Sequence, residues 1–300
     1  MNAEHLALAA RLSRLSVDKH TDAYADIAWD SPDHAIDAAD PRWELGADDP
    51  IGASDWYRGL PAERRARLGL HVVAGAMRTG VEFERVLKQG LLELAGTLPI
   101  DSPEQRYVYH ELIEEAQHAL MFSEFIRRAR AAAGPLRTPS IPRALRAIRD
   151  RVPATARRFP ELFFVFVLGG EDPIDHVQRQ LLASRRDVHP LLRRIIQTHV
   201  TEEARHLAFA RSFLAARVPS LSPGRKRALA LLAPVVLAIM ARLMLRPAPH
   251  LVREYGIPPE LRGADARQRA RLRDSVQKVR AVLDDLDLGQ PRLWRALGVA

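Results

Sequence analysis

Cysteine is absent from the 300-residue chain. Its absence excludes disulfide bonds, thiolate zinc sites and catalysis by a cysteine nucleophile. It is compatible with the reducing cytosol. The amino terminus, "MNAEHLALAARLSRLS", has neither the basic start nor the long apolar core of a signal peptide. We therefore expect the protein to be cytoplasmic.

Apolar runs long enough to cross a bilayer are also lacking. The apolar stretch at residues 228–241 contains Pro234 and is shorter than the roughly 20 residues that a membrane-spanning helix needs. We expect no membrane span here, but a helix buried in the core or in a subunit interface. A helix lying on a membrane surface is the less favoured alternative.

The charge of the chain is strongly positive, with a net value of +8, as in some nucleic-acid-binding proteins. The charges are segregated, however. Residues 18–55 carry eleven acidic groups against Lys19 and Arg42, whereas residues 127–158 carry ten arginines and one acid. No basic run is interleaved with aromatic residues, and no zinc-finger pattern occurs. We expect no nucleic-acid partner. We interpret the arginines as a solvated face, with docking of an acidic electron-donor protein as the alternative.

Helical periodicity dominates the chain from residue 60 onward, and strand-like alternation is scarce. We predict an all-α protein with four long core helices and several accessory helices. The core segments lie at residues 60–98, 102–134, 159–185 and 189–219, and the accessory segments at 222–245 and 264–287.

The first 60 residues differ in composition from the rest. They are rich in Asp and Pro, which favour turns and helix caps. Their tryptophans, Trp29, Trp43 and Trp56, indicate that the segment packs on a larger body. We predict an N-terminal extension over residues 1–60 and one helical domain over residues 61–300.

Two of the long segments place acids and histidines among apolar residues. In "THVTEEARHLAF", His199, Glu203 and His206 share one helix face, because a helix advances about 100° per residue. That face continues the apolar stripe of the same segment. In "HELIEEAQHALMF", Glu115 and His118 repeat the Glu-x-x-His spacing.

The other two core segments each place a single acid on the apolar stripe. Glu84 is in phase with the apolar residues of "AMRTGVEFERVLKQGLL", and Glu171 is in phase with those of "FFVFVLGGEDPIDHV". Glu82 falls on a face with charged neighbours, so we interpret it as solvated. It remains the alternative to Glu84.

Four buried carboxylates need cations. Burying even one unpaired carboxylate costs several kcal/mol or more, and two divalent ions would cancel four such charges. A single Glu-x-x-His is common and usually carries no function. Two of them, with an in-phase Glu on each of two further helices, form the pattern of di-iron and di-manganese bundles of the ferritin-like type. Oxygen-rich ligation without cysteine favours iron or manganese over structural zinc.

The chain resembles the AurF-type di-iron oxygenases, the p-aminobenzoate N-oxygenase family within the ferritin-like proteins. The matching pieces are "FERVL", "EEAQH", "GGEDP" and "HVTEEARH", spread over residues 80–210. The last is the most specific, because His-x-x-x-Glu-x-x-His adds a third histidine, His199, to the common ferritin-like set. The resemblance implies a ferritin-like four-helix bundle and these metal ligands: Glu84, Glu115, His118, Glu171, His199, Glu203 and His206.

The resemblance also implies an activity. Two iron ions, or two manganese ions, would activate O2 through a peroxo intermediate and oxidise a small molecule such as an aromatic amine. An external electron donor, such as a ferredoxin, would reduce the metals. We expect a homodimer. The alternatives are another di-iron hydroxylase, a fatty-acyl oxidase or a non-enzymatic iron-binding protein.

Two further expectations concern the surroundings of the metals. Asp175 is predicted to orient a ligand imidazole, with a surface role as the alternative. Five phenylalanines could line an aromatic pocket, although a plain core role is favoured for them: Phe83, Phe122, Phe163, Phe164 and Phe166.

Overall fold

Helices make up the regular structure throughout the described part of the chain. The computed structural model describes residues 2–134, 146, 147, 149–262 and 266–299, and no strand occurs among them. The predicted all-α, ferritin-like class is therefore confirmed. The helices are α1 (Ala3–Asp18), α2 (Asp55–Arg58), α3 (Ala62–Ala95), α4 (Pro103–Ala133), α5 (Val152–Arg158), α6 (Pro160–Ala183), α7 (Pro190–Arg217), α8 (Pro223–Leu245), α9 (Pro249–Tyr255), α10 (Ala266–Ser275), α11 (Gln277–Asp285) and α12 (Pro291–Ala296).

The ends of α4 follow from local sequence signals. The Ser102 side chain accepts a hydrogen bond from the Gln105 backbone N–H, and Pro103 occupies the first turn, where no intrahelical N–H partner is needed. At the other end, Gly134 takes a φ of 91°, which a residue with a side chain rarely adopts. These signals set a helix of 31 residues.

The core of the bundle is formed by two helical hairpins. Helix α3 packs along α4, and α6 packs along α7, with the two pairs facing one another. Close approach of the pairs requires a glycine at one point. A Cβ atom at Gly90 would lie 2.2 Å from the Phe163 ring. The interior glycines of α3 therefore serve packing, and the helix runs through them without a break.

The N-terminal residues pack on the bundle at two places. Helix α1 lies against α4 and α7. Further along, the buried Trp43 ring stacks on His189 at the start of α7, with ring centroids 4.2 Å apart. The Trp43 carbonyl also approaches α3 so closely that a Cβ atom at Gly69 would lie 1.8 Å from its oxygen. These contacts fit an N-terminal segment that packs on the body, and the division at residue 60 stays a prediction.

The apolar stretch at residues 228–241 lies within α8. Its Leu229, Ala233 and Leu237 side chains are buried, and α8 packs on α6. Ile239 and Leu243 on the opposite face are about half exposed. Within the described residues, Pro223–Tyr255 is the one stretch long and apolar enough to span a membrane by length and composition, and 56% of its 18-residue window is buried. Core helices of soluble proteins meet the same criterion, so the absence of a span stays a prediction.

Candidate metal centre

The structure brings all seven predicted ligands together between the two hairpins. None of the seven is more than 5% exposed. Their donor atoms fall into two groups, within each of which the atoms lie no more than 4.8 Å apart. The first group is Glu84, His118 and His199, and the second is Glu115, Glu171, Glu203 and His206.

Glu115 and Glu203 lie between the two groups. One Glu115 oxygen is 3.5 Å from His118 Nδ1, and the other is 3.0 Å from His206 Nδ1. Glu203 does the same, with Oε1 3.5 Å from His118 Nδ1 and Oε2 3.5 Å from His206 Nδ1. A carboxylate that offers one oxygen to each side has the geometry of a bridging ligand. Glu84 and Glu171 would then be terminal ligands, one for each ion.

The donor set fits two cations. Oxygen atoms of all four glutamates lack a hydrogen-bond partner among the described residues, namely those of Glu84, Glu115, Glu171 and Glu203. Burial raises the pKa of Glu84, Glu171 and Glu203, and the neighbouring carboxylates raise it further. Buried polar atoms are rarely left unsatisfied in proteins. Cations that take the place of protons explain these three acids. For Glu115, burial raises the pKa, but the neighbouring His206 and His118 lower it overall.

The three histidines differ in their charge state. Burial lowers the pKa of His118 and His206, but the surrounding carboxylates raise it well above its ordinary value. Burial lowers the pKa of His199 well below that value, and the neighbouring His118 lowers it further. His199 is therefore neutral and free to bind a metal, whereas His118 and His206 must first lose a proton. Metal affinity should consequently rise with pH.

An outer layer of charged residues holds two of the imidazoles. His118 Nε2 donates to Glu202 at 2.8 Å, and His206 Nε2 donates to Glu114 at 2.8 Å. Arg205 connects the two carboxylates, with Nη2 2.7 Å from Glu114 and 3.7 Å from Glu202. Such partners fix the ring orientation and leave Nδ1 facing the cluster of predicted ligands. Sequence reasoning missed these three residues, although a second acid precedes the ligand in both "EEAQH" and "EEARH".

Arg205 should matter for metal affinity although it cannot ligate a metal. We expect Arg205→Met to lower the affinity roughly 10–100-fold, because Glu114 and Glu202 would lose the cation that links them. Competition with a chromogenic chelator measures the change. Arg211→Met is the matched control, since Arg211 lies on the same helix and pairs with the buried Asp172. Equal affinities for Arg205→Met and wild type would show that the cross-link is only structural.

The third histidine has a separate partner. His199 Nδ1 donates to Gln178 Oε1 at 2.9 Å, which directs Nε2 towards Glu203, 3.4 Å away. The sequence prediction had given such a role to Asp175. Its two carboxylate oxygens instead both accept from the Arg179 Nε–H, at 2.8 Å each. The outward ring nitrogens of the three histidines pair with Glu114, Glu202 and Gln178. Asp175 is 1% exposed, so the alternative surface role is also wrong.

The five phenylalanines divide between core and site. Phe163 and Phe164 are fully buried in the hydrophobic cluster, as the core interpretation predicts. Phe83 packs against Phe166, with ring centroids 5.1 Å apart. Phe122 lies beside the metal ligands, 5.1 Å from the His199 ring. A Cβ atom at Gly80 would contact both Phe122 and Glu84, so this glycine lies where ring and ligand meet.

Glu82 and Glu84 take different positions on α3. Glu84 is 3% exposed and belongs to the first ligand group. The Glu82 side chain is 50% exposed and pairs with Arg85 and Arg149 on the surface. The geometry therefore favours Glu84 as the ligand.

Comparison with known proteins gives a match over nearly the whole chain. Residues 2–287 match the family described as p-aminobenzoate N-oxygenase AurF. An uncharacterised protein of Mycobacterium tuberculosis is 37% identical over 261 residues, which are 87% of this chain and 75% of that protein. An uncharacterised protein of Mycobacterium bovis is 36% identical over the same shares. The match extends well beyond residues 80–210, where the motifs lie.

Proposed function

Because the chain belongs to the p-aminobenzoate N-oxygenase AurF family, we propose that it is a non-haem di-iron oxygenase that oxidises the amino group of an arylamine. The observation that carries the proposal is the pair of ligand groups, four carboxylates and three imidazoles, buried between the hairpins. When bound, the two metals supply the O2 chemistry, and the protein supplies position and environment.

The roles of the ligand residues follow from their positions. One ion would be held by Glu84, His118 and His199, and the other by Glu115, Glu171, Glu203 and His206. One oxygen each of Glu115 and Glu203 also lies 3.5 Å from His118 Nδ1. His199 would give the first ion a second imidazole without adding charge. The Phe122 ring and the surrounding apolar residues exclude water from this side of the centre.

Iron is the metal that we propose, with manganese as the alternative. The ligand set is rich in carboxylate oxygens, holds three imidazoles and contains no sulfur, because the chain has no cysteine. Such sets suit iron and manganese, whereas structural zinc prefers a closed tetrahedral site. Metal content after growth in media enriched in either ion distinguishes the two.

A panel of arylamines tests the substrate class. The protein, loaded with iron and reduced chemically, is exposed to O2 with each amine, and hydroxylamine, nitroso and nitro products are measured by mass spectrometry. We expect at least one such product. Hydroxylated products from another class of substrate would favour a di-iron hydroxylase, and oxidised fatty acyl chains would favour a fatty-acyl oxidase. Either result would contradict the N-oxygenase proposal. Iron uptake without oxidation of any organic substrate would favour an iron-binding protein.

We propose further that an acidic electron-transfer protein, such as a ferredoxin, docks on part of the arginine-rich segment, residues 127–158. Of its arginines, Arg137 and Arg143 lie outside the described residues. Arg128 is committed to the fold, since it donates to the Trp29 carbonyl and to Asp30. Arg127 and Arg130 are exposed, and within the described part of the chain the ion pair of Arg127 is with Glu124, one turn away.

Reversal of these exposed charges should slow reduction by the donor. We expect Arg127→Glu with Arg130→Glu to lower the rate roughly tenfold at low salt, because steering by charge raises association rates about 10–10³-fold. The difference should shrink as salt rises. Stopped-flow reduction by a ferredoxin measures it, and Arg292→Glu, an exposed charge reversal elsewhere, is the control. Equal rates at both salt concentrations would contradict docking on this segment.

A cytoplasmic homodimer is the assembly that we propose. The exposed apolar side chains of α8, which include Ile239 and Leu243, support a subunit contact, because large exposed apolar patches commonly mark interfaces. Sedimentation equilibrium measures the mass in solution. A monomer at micromolar concentration would contradict the dimer.

A further inference from the structure

A row of buried polar residues runs along one face of α4. Glu104, Tyr107, Glu111 and Glu115 are separated by three, four and four residues, so they lie one above another on the helix. None is more than 2% exposed. Glu115 is a metal ligand in the function proposed above, and Glu104 lies about 16 Å from it along the helix axis. The row therefore connects the metal centre with the start of α4.

The outer end of the row opens at a cavity. Glu104 lines a cavity of about 290 Å³ together with His5, Arg217 and three other residues, Asn2, Ala216 and Ser220. His5 Nε2 lies 3.0 Å from Glu104, and His5 Nδ1 lies 2.8 Å from the Ser212 hydroxyl. A chain of polar contacts thus reaches from the cavity to the first residue of the row.

Glu111 is the member of the row next to the predicted ligand Glu115. Neither of its carboxyl oxygens has a hydrogen-bond partner among the described residues. Burial raises the pKa of Glu111 to about 8, and the charges of Glu115 and Glu203 act in the same direction, against that of His206. This carboxyl lies one helical turn from Glu115 and keeps its proton more readily than an exposed glutamate does.

Tyr107 is the middle member of the row. Its ring packs on Phe209, with centroids 4.5 Å apart, inside the largest apolar cluster of the bundle. Its hydroxyl is buried without a hydrogen-bond partner in the described structure. A buried hydroxyl without a partner is destabilising relative to a satisfied one. Packing alone would be served better by phenylalanine at 107 and leucine or methionine at 111.

We propose that Glu104, Tyr107 and Glu111 form the route by which protons pass from the cavity to the metal centre. The inference rests on the proposed function. Insertion of one atom of O2 into a substrate, with the other leaving as water, takes up two electrons and two protons. The donor protein supplies the electrons. Each proton leaves the Glu111 carboxyl towards the centre and is replaced from the cavity, so no residue is consumed.

The route serves charge balance as well as chemistry. Each electron adds a negative charge to a buried volume that already holds several carboxylates, and this is costly unless a proton follows. Reduction without O2 should therefore draw protons from solution at a rate that the row controls. The Tyr107 hydroxyl and the Glu111 carboxyl have no other hydrogen-bond partner among the described residues, so neither is committed to another contact.

Proton uptake during anaerobic reduction tests the route without turnover. The protein is loaded with iron, reduced in weak buffer with a pH-indicator dye, and followed by stopped flow. Glu111→Gln keeps the size of the side chain but cannot carry the proton, and Tyr107→Phe removes one hydroxyl. We expect proton uptake to slow at least about 10-fold in Glu111→Gln and to slow less in Tyr107→Phe. Tyr109→Phe, an exposed tyrosine on the same helix, is the control and should match wild type.

Iron content separates the two proposals. Two irons per chain in every variant, with slow proton uptake in Glu111→Gln alone or together with Tyr107→Phe, support the route. Two irons with wild-type proton uptake in Glu111→Gln overturn the route and leave the oxygenase proposal intact. Loss of iron in Glu111→Gln would make Glu111 part of the metal site and overturn the route. A wild-type protein that binds no iron would overturn both.

Discussion

Glu203→Ala should empty the metal centre. In the structure Glu203 offers one oxygen to each ligand group, so its loss affects both ions at once. The loss of metal affinity should exceed the roughly 10–100-fold loss that follows removal of a residue hydrogen-bonded to a ligand. Elemental analysis of protein from iron-rich medium should give about two irons per chain in wild type and well under half of that in the variant.

Glu84 and Glu82, both on α3, provide a matched pair of variants whose iron content can be compared with that of Glu203→Ala. Glu84→Ala should also lose metal, because Glu84 belongs to the first ligand group. Glu82→Ala should retain all of it, because Glu82 pairs with arginines on the surface. Equal iron content in Glu84→Ala and Glu82→Ala would contradict the assignment of Glu84.

Thermal unfolding separates loss of metal from loss of fold. A ligand that binds only the folded protein stabilises it by RT ln(1 + [L]/Kd), so iron should raise the unfolding temperature of wild type. In Glu203→Ala that rise should vanish, while the metal-free proteins unfold at similar temperatures. Two results together would make Glu203 a structural residue: an unfolding temperature of the metal-free variant below that of metal-free wild type, and a wild-type iron content of the variant grown in iron-rich medium.

His199→Ala should separate metal binding from reactivity. Four carboxylates and two imidazoles remain in the variant, so two irons should still bind. His199 is the one ligand imidazole whose pKa is held well below its ordinary value, first by burial and then by the neighbouring His118. It can therefore bind the metal as a neutral donor. We expect the reduced variant to react differently with O2 and to lose at least about 90% of arylamine oxidation, a barrier increase of about 1.4 kcal/mol.

The measurement for His199→Ala combines three quantities: iron per chain, the optical change after mixing with O2, and product formed. Gln178→Leu is a useful intermediate, because it removes only the hydrogen bond to His199 Nδ1 and should weaken the effect without abolishing it. Wild-type behaviour of His199→Ala towards O2 would show that the third histidine is dispensable, and a general di-iron protein would then be the better description.

The burial and clustering of the seven predicted ligands could be predicted from the sequence because helical phase is a local property. Glu84, Glu171 and the two Glu-x-x-His pairs each fall on an apolar stripe, and a stripe must face the core. Four acids in one core then require cations. Glu82 was set apart from Glu84 on the same ground, because a shift of two residues turns a side chain to the opposite side of a helix.

The outer layer could not be predicted in the same way. Glu114 and Glu202 are each the direct neighbour of a ligand, so they point about 100° away from it. Whether that direction meets water or another helix depends on how the hairpins pack. Arg205 lies three residues from Glu202 on α7, but it meets Glu114 only because α4 and α7 approach each other there. The choice of Asp175 was wrong for a local reason, since its carboxylate pairs with Arg179 one turn further along its own helix.

The most direct test of the central claim is a crystal structure of the iron-loaded protein with anomalous diffraction measured at the iron edge. We predict two anomalous peaks per chain, about 3.5–4 Å apart, between the side chains of Glu115 and Glu203, with Glu84, His118 and His199 around one and Glu171 and His206 around the other. A single peak, peaks outside this cluster, or zinc alone in protein grown with ample iron would contradict the account.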